Sequence, residues 1–149
     1  MLLTGTFSRA VDEKLRIAIP KSLREVLGSR AQGVLYVAPG TDGSLALFTE
    51  DALAGLADRL AQSSPNARDV RAFSRLFYAR AQAVELDGQG RVRIPPELAQ
   101  LAGLAKEVVL IGVQDHLELW DSQRWEQYVK ARQNQFDQIA EAAFEKPTS

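Results

Sequence analysis

The chain has 149 residues, 46% hydrophobic and 25% charged, with a formal net charge of −1; this excludes a disordered polyelectrolyte and suits one compact domain or two very small ones. It contains no cysteine, which excludes disulfide frameworks, thiolate metal sites and cysteine nucleophiles and makes a reducing, cytoplasmic setting the expectation. Met1 to Arg9 lacks the basic and apolar runs of a secretory signal, and no uncharged stretch reaches the roughly 18 residues of a membrane span, so neither export nor a membrane partner is expected.

In chain order, the same unit is written twice. With an offset of 75, Asp12, Arg16, Ile17, Ile19, Pro20, Leu23, Val26 and Gly28 fall on Asp87, Arg91, Val92, Ile94, Pro95, Leu98, Leu101 and Gly103. Val34, Leu35 and Tyr36 then fall on Val109, Leu110 and Ile111, and after one three-residue gap Leu45, Leu47, Phe48 and Thr49 meet Leu117, Leu119, Trp120 and Asp121. Such self-similarity reads as a tandem duplication.

Each unit is predicted to run strand, tight turn, strand, short helix, strand, turn, strand, longer helix. In Arg16-Ile17-Ala18-Ile19 and Arg91-Val92-Arg93-Ile94 the apolar residues alternate, as in a half-buried strand, so Arg16, Arg91 and Arg93 share the wetter face. Pro20 and Pro95 open short helices that Gly28 and Gly103 are expected to close as left-handed caps. Thr49 and Asp121 read as N-caps of the longer helices. The first of these runs roughly to Gln62 and stops at Ser63-Ser64-Pro65-Asn66.

A linking helix is then predicted over about Ala67 to Ala79, with Val70, Phe73, Leu76 and Phe77 as one apolar stripe and Arg68, Arg71 and Arg75 on other faces. Pro96 to Leu104 has the length of a helix-turn-helix start, but Glu107 to Val113 reads as a strand and removes that option. The C-terminal helix is predicted to reach Phe144, with Trp120, Trp125, Tyr128 and Val129 as packing residues. A thinner stripe of Phe136, Ile139, Ala140 and Ala143 is suited to a neighbouring subunit.

Charge is polarised along this plan. Residues 1–25 and 60–82 are locally basic, the latter through Arg68, Arg71, Arg75 and Arg80 against Asp69, whereas residues 107–149 carry eight acidic groups against four basic ones. A chain neutral in sum can thus present one region to a polyanion.

In both units an Asp begins a tight turn and an Arg follows four residues later: Asp12-Glu13-Lys14-Leu15-Arg16 and Asp87-Gly88-Gln89-Gly90-Arg91. An Asp carboxylate suits a turn because it accepts bonds from nearby backbone N–H groups, and glycine supplies positive φ cheaply. The pair staples a hairpin, presents basic groups to phosphate or base edges, or does both. An enzyme is not expected: His116, the only histidine, lies in a predicted turn as an exposed polar residue, and no nucleophile with a base, phosphate loop, metal cluster or cofactor motif is present. Asp12 and Asp87 could pair as acid and base, but their neighbouring arginines favour ionised structural carboxylates.

These residues resemble a known family. Asp12 to Arg16 with Ile19-Pro20, Arg71-Ala72-Phe73-Ser74-Arg75-Leu76-Phe77, Leu86 to Pro95, Val109 to Gly112 and Leu117 to Asp121 together are similar to MraZ proteins, bacterial regulators with two AbrB-like domains. The resemblance extends from about Leu2 to Phe144. It implies an α+β, β-rich fold: a double-split β-barrel of two tandem AbrB-like repeats, residues 5–62 and 81–149, joined by a linking helix over 63–80 and followed by a C-terminal helix.

It also implies a ring-shaped homo-oligomer, associated with the nucleoid, that binds double-stranded DNA at repeated promoter boxes of the division and cell wall gene cluster, with no cofactor and no small-molecule substrate. Lys14, Arg16, Gln89 and Arg91 would then face DNA, and strand parity adds Arg93. Leu15 stands where the family has glycine, so either the first turn has another geometry or its part in binding differs. The alternative reading is a protein-interaction or antitoxin-like scaffold whose basic hairpins dock an acidic partner.

Overall fold

Short β-branched and leucine-rich runs separated by turns dictate the architecture. The computed structural model describes residues 1–63 and 66–145, without the side chains of residues 29, 30 and 63; Ser64 and Pro65 of the expected breaker cluster, and Lys146, lie outside the described residues. The elements are β1 (Thr6–Ala10), β2 (Arg16–Ala18), α1 (Lys21–Ala31), β3 (Val34–Pro39), β4 (Leu45–Phe48), α2 (Glu50–Ser63), α3 (Ala67–Tyr78), β5 (Gln82–Glu85), β6 (Arg91–Arg93), α4 (Pro96–Leu101), β7 (Glu107–Val113), β8 (His116–Asp121), α5 (Ser122–Arg132) and α6 (Phe136–Phe144). The fold is mixed α+β, with every strand pairing antiparallel.

Six strands form one sheet in the order β1-β7-β8-β4-β3-β5, and β2 pairs with β6 in a separate ribbon. The order reads the same from either edge once β1 is matched with β5, β7 with β3 and β8 with β4. The first strand of each sequence unit therefore pairs with the other unit: β1 lies on β7, with Thr6 opposite Ile111, and β5 lies on β3, with Val34 opposite Glu85. The central β4–β8 pairing, Leu45 opposite Leu119, joins the halves again.

Both faces of the sheet are covered, which explains why β4 and most of β7 are buried runs rather than alternating ones. On one face Leu35, Val37, Leu45, Leu47, Val108, Leu110, Leu117 and Leu119 meet Ile17 and Val92 of the ribbon and Leu23, Leu27 and Leu98 of α1 and α4. On the other, Ala38, Ala46 and Phe48 pack with Leu53 of α2 and Phe77 of α3, while Val109, Ile111 and Trp120 pack with Trp125 and Tyr128 of α5. Thr49 Oγ1 accepts from Ala52 N–H at 3.3 Å and Asp121 Oδ2 from Arg124 N–H at 3.4 Å, so both expected N-caps are in place.

Four details differ from the sequence reading. Gly28 takes φ 47° but does not end α1, which resumes and stops at Ala31, capped by Gln32 at φ 48°. The stripe on α3 is only partly packed: Phe77 is buried and Val70 half-buried, but Phe73 and Leu76 stand exposed. A 3-10 turn at Gln133–Gln135 divides the C-terminal helix into α5 and α6. His116 is not an exposed turn residue; it opens β8, stacks on Phe48 at 5.0 Å, and holds Asp115 Oδ1 at 2.7 Å through Nδ1 and Glu118 Oε2 at 3.7 Å through Nε2. The neighbouring Glu118 carboxylate, opposed by burial and helped by Asp115, raises its pKa above the ordinary 6.5.

The edge strand is fixed by a close approach. Leu3 is fully buried and bridges Gln114, and a Cβ on Gly112 would lie 2.6 Å from the Leu3 carbonyl carbon and 2.7 Å from Thr4 Cα. Gly112→Ala is expected to displace the backbone at Leu3–Thr4 and to cost about 1–3 kcal/mol in urea unfolding. An unchanged unfolding midpoint would show that the N-terminal segment yields freely.

Candidate nucleic-acid interface

The two Asp-Arg turns have one geometry. In the first, Asp12 Oδ1 accepts from the N–H groups of Lys14 at 2.9 Å and Arg16 at 2.8 Å, and Oδ2 accepts from Arg16 Nε at 2.7 Å. In the second, Asp87 Oδ1 accepts from Gln89 and Arg91 N–H, both at 2.9 Å, and Oδ2 from Arg91 Nε at 2.8 Å. The backbone bonds agree as well: Leu15 N–H to Asp12 O at 3.0 Å, and Gly90 N–H to Asp87 O at 3.0 Å. Each arginine spends Nε on its Asp and keeps both terminal amino groups unengaged among the described residues.

Leu15 resolves the question that its sequence position raises. It takes φ 61°, close to the 75° of Gly90, so the first turn keeps the geometry of the second. A left-handed leucine costs about 1–2 kcal/mol, and its side chain packs against the main core in partial return. At Gly90 the space is taken differently: a Cβ there would lie 2.7 Å from Arg24 Cζ, and Arg24 Nε donates to Ile19 O at 3.0 Å. Ala99 holds the position equivalent to Arg24 in the other unit, so no guanidinium competes at the Leu15 end.

The ribbon joins the turns back to back. Arg16 lies opposite Arg93, Ile17 opposite Val92 and Ala18 opposite Arg91; Ile94 N–H donates to Leu15 O at 2.8 Å and Ile19 N–H to Gly90 O at 2.9 Å. Since those outer pairs are hydrogen-bonded, alternation makes Arg16–Arg93 and Ala18–Arg91 the closer, non-hydrogen-bonded pairs. Ile17 and Val92 are buried beneath, which turns Arg16, Arg91 and Arg93 to the outer face. Two like charges directly opposite on a strand pair oppose pairing. Arg16 is partly neutralised by Asp12, but Arg93 is exposed with no ion pair or side-chain hydrogen bond among the described residues.

The five expected site residues are therefore gathered on one element pair: Arg16, Arg91 and Arg93 on the outer face, with Lys14 and Gln89 exposed on the turns at its two ends. Arg24 was not anticipated there; its only sequence signal is its place one turn into the helix that Pro20 opens. Glu13, also exposed on the first turn, sets a negative charge where Gly88 stands in the second. Among the described residues no group of three His, Cys, Asp or Glu side chains could hold a metal ion, and no helix is long and apolar enough to cross a membrane.

The backbone bond from Arg16 is the largest cause holding the Asp12 carboxyl below its ordinary 3.8, against a smaller desolvation effect; the bond from Arg91 does the same for Asp87. With folded pKa values depressed, this stability is complete above the unfolded value near pH 4 and is lost as pH falls through the folded one. Asp87→Asn is accordingly expected to flatten the loss of stability below pH 4, checked by urea unfolding across pH 2–6. A parallel decline in the variant and the wild type would contradict the assignment.

The family model and the relatives with similar sequences agree on one family. Residues 77–146 match the family model described as "MraZ protein, putative antitoxin-like". The chain is 40% identical to the transcriptional regulator MraZ of Thermomicrobium roseum over 83% of this chain and 84% of that protein, and 37% identical to its namesake in Alkaliphilus metalliredigens over 93% and 94%. The namesake in Lactiplantibacillus plantarum is 39% identical over 92% and 94%. The solution structure of PHS018 from Pyrococcus horikoshii covers 78% of this chain and 95% of its own at 14% identity with a TM-score of 0.37, too slight a likeness to bear on the fold. With its arginine ribbon and these relatives, the chain belongs to the MraZ family.

Proposed function

We propose that this protein, whose relatives are named transcriptional regulators, binds DNA in a sequence-specific manner and that the β2–β6 ribbon is its DNA-facing surface. The observation that carries the reading is the outer face of the ribbon, where Arg16, Arg91 and Arg93 stand together although Arg16 and Arg93 repel one another. A polyanion removes that penalty; an isolated fold gains nothing from it. On this reading Lys14 and Gln89 extend the contact at the two turns, and strands are a known means of entering a DNA groove.

The interleaved strands and the β2–β6 ribbon support a double-split β-barrel produced by tandem duplication, with repeats over 5–62 and 81–149 and a linking helix over 63–80. One ribbon offers few phosphate contacts, and such contacts weaken steeply with salt. A ring of copies on repeated promoter boxes of the division and cell wall gene cluster supplies the missing affinity, because later contacts become intramolecular. The protein then works in the cytoplasm, on the nucleoid.

Gel-shift titration tests this. Arg93→Ala, which breaks no internal ion pair, is expected to weaken binding about tenfold and to lower the salt slope by about one. DNA with several boxes is expected to bind far more tightly than DNA with one. Equal affinity for both would remove multivalency, and retention on an acidic protein but not on DNA would favour the scaffold reading instead.

A further inference from the structure

α6 is nearly bare. Of its nine residues only Ala140 is even half-buried, and Phe136 and Phe144 are 69% and 87% exposed. At 100° per residue Phe136, Ile139, Ala140 and Ala143 form one apolar stripe, while Asp137 and Glu141, continued by Glu145, form an adjoining acidic edge. A helix this short does not persist in water on its own propensity, so the stripe requires a cover.

α3 carries the complement. Phe73 and Leu76 are 38% and 59% exposed beside the buried Phe77, and Arg68, Arg71 and Arg75 form a basic edge on the same solvent-facing side. None of these six charged groups makes an ion pair or a side-chain hydrogen bond with another side chain among the described residues. The acidic edge of α6 repels DNA and anionic membrane alike.

We propose that α6 of one copy docks on α3 of a second copy, its apolar stripe over Phe73 and Leu76 and its carboxylates facing Arg68, Arg71 and Arg75. The contact joins two different surfaces, so it repeats head to tail and closes where the rotation permits. Phe77 places α3 on the sheet face opposite the ribbon, which leaves the arginines of every copy free. This rests on the oligomeric reading above and names the surfaces that build it.

The test uses the full chain in analytical ultracentrifugation. Wild-type protein is expected to assemble, whereas Arg71→Glu with Arg75→Glu, and separately Phe136→Asp with Ile139→Asp, are each expected to sediment as single chains with unaltered circular dichroism. Mixed one to one, the two variants are expected to form pairs and nothing larger, since each retains one intact surface. Adding Asp137→Arg and Glu141→Arg to the first variant is expected to restore assembly, which a misfolded chain would not show. Wild-type-like assembly of both variants, or a mixture that stays as single chains, overturns the α3–α6 contact while leaving oligomerisation standing. A wild type that is a single chain at every concentration overturns the oligomeric reading itself.

Discussion

Two carboxylates organise the site. Asp12 and Asp87 each gather two backbone N–H groups on one oxygen and an arginine Nε on the other, and this fixes both the turn and the first residue of the strand that follows. Once the turns are closed, the carbonyls of Leu15 and Gly90 lie where Ile94 and Ile19 reach them, so each turn is tied to the other unit. The guanidiniums are thereby oriented before any ligand arrives, and orienting them in advance lowers the entropy that binding must spend.

The price of that arrangement is visible in two places. Leu15 is held at φ 61°, and Arg16 faces Arg93 across a close strand pair. Neither helps the fold, and both are sustained by the buried Ile17 and Val92 beneath the ribbon, together with the swapped strands β1 and β5 at the sheet edges. Because each unit lends its first strand to the other, the halves share one main core, and Ile17 and Val92 of the ribbon belong to it.

Local chemistry was legible in the sequence, and partner choice was not. The Asp-x-x-x-Arg spacing, the alternation in Arg91-Val92-Arg93-Ile94 and the caps at Thr49 and Asp121 act within a few residues, so they could be read directly and recur in the fold. That β1 would pair with β7 depends on contacts a hundred residues apart, for which periodicity carries no signal. His116 was misplaced for a related reason: its stacking on Phe48 and its carboxylate neighbours come from a strand register that the chain order does not announce. Leu15 left open either another turn geometry or a different part in binding, and its φ of 61°, with the side chain packed against the main core, removes the first.

The proposed DNA surface is the arginine face of the β2–β6 ribbon. The most direct measurement follows the Nε–Hε signals of the arginines by heteronuclear NMR during titration with a promoter duplex. Signals of Arg16, Arg91 and Arg93 are predicted to shift first and furthest, with those of Arg68, Arg71 and Arg75 on α3 unmoved by DNA. Shifts confined to α3, with the ribbon silent at low salt, would contradict the assignment of the DNA surface.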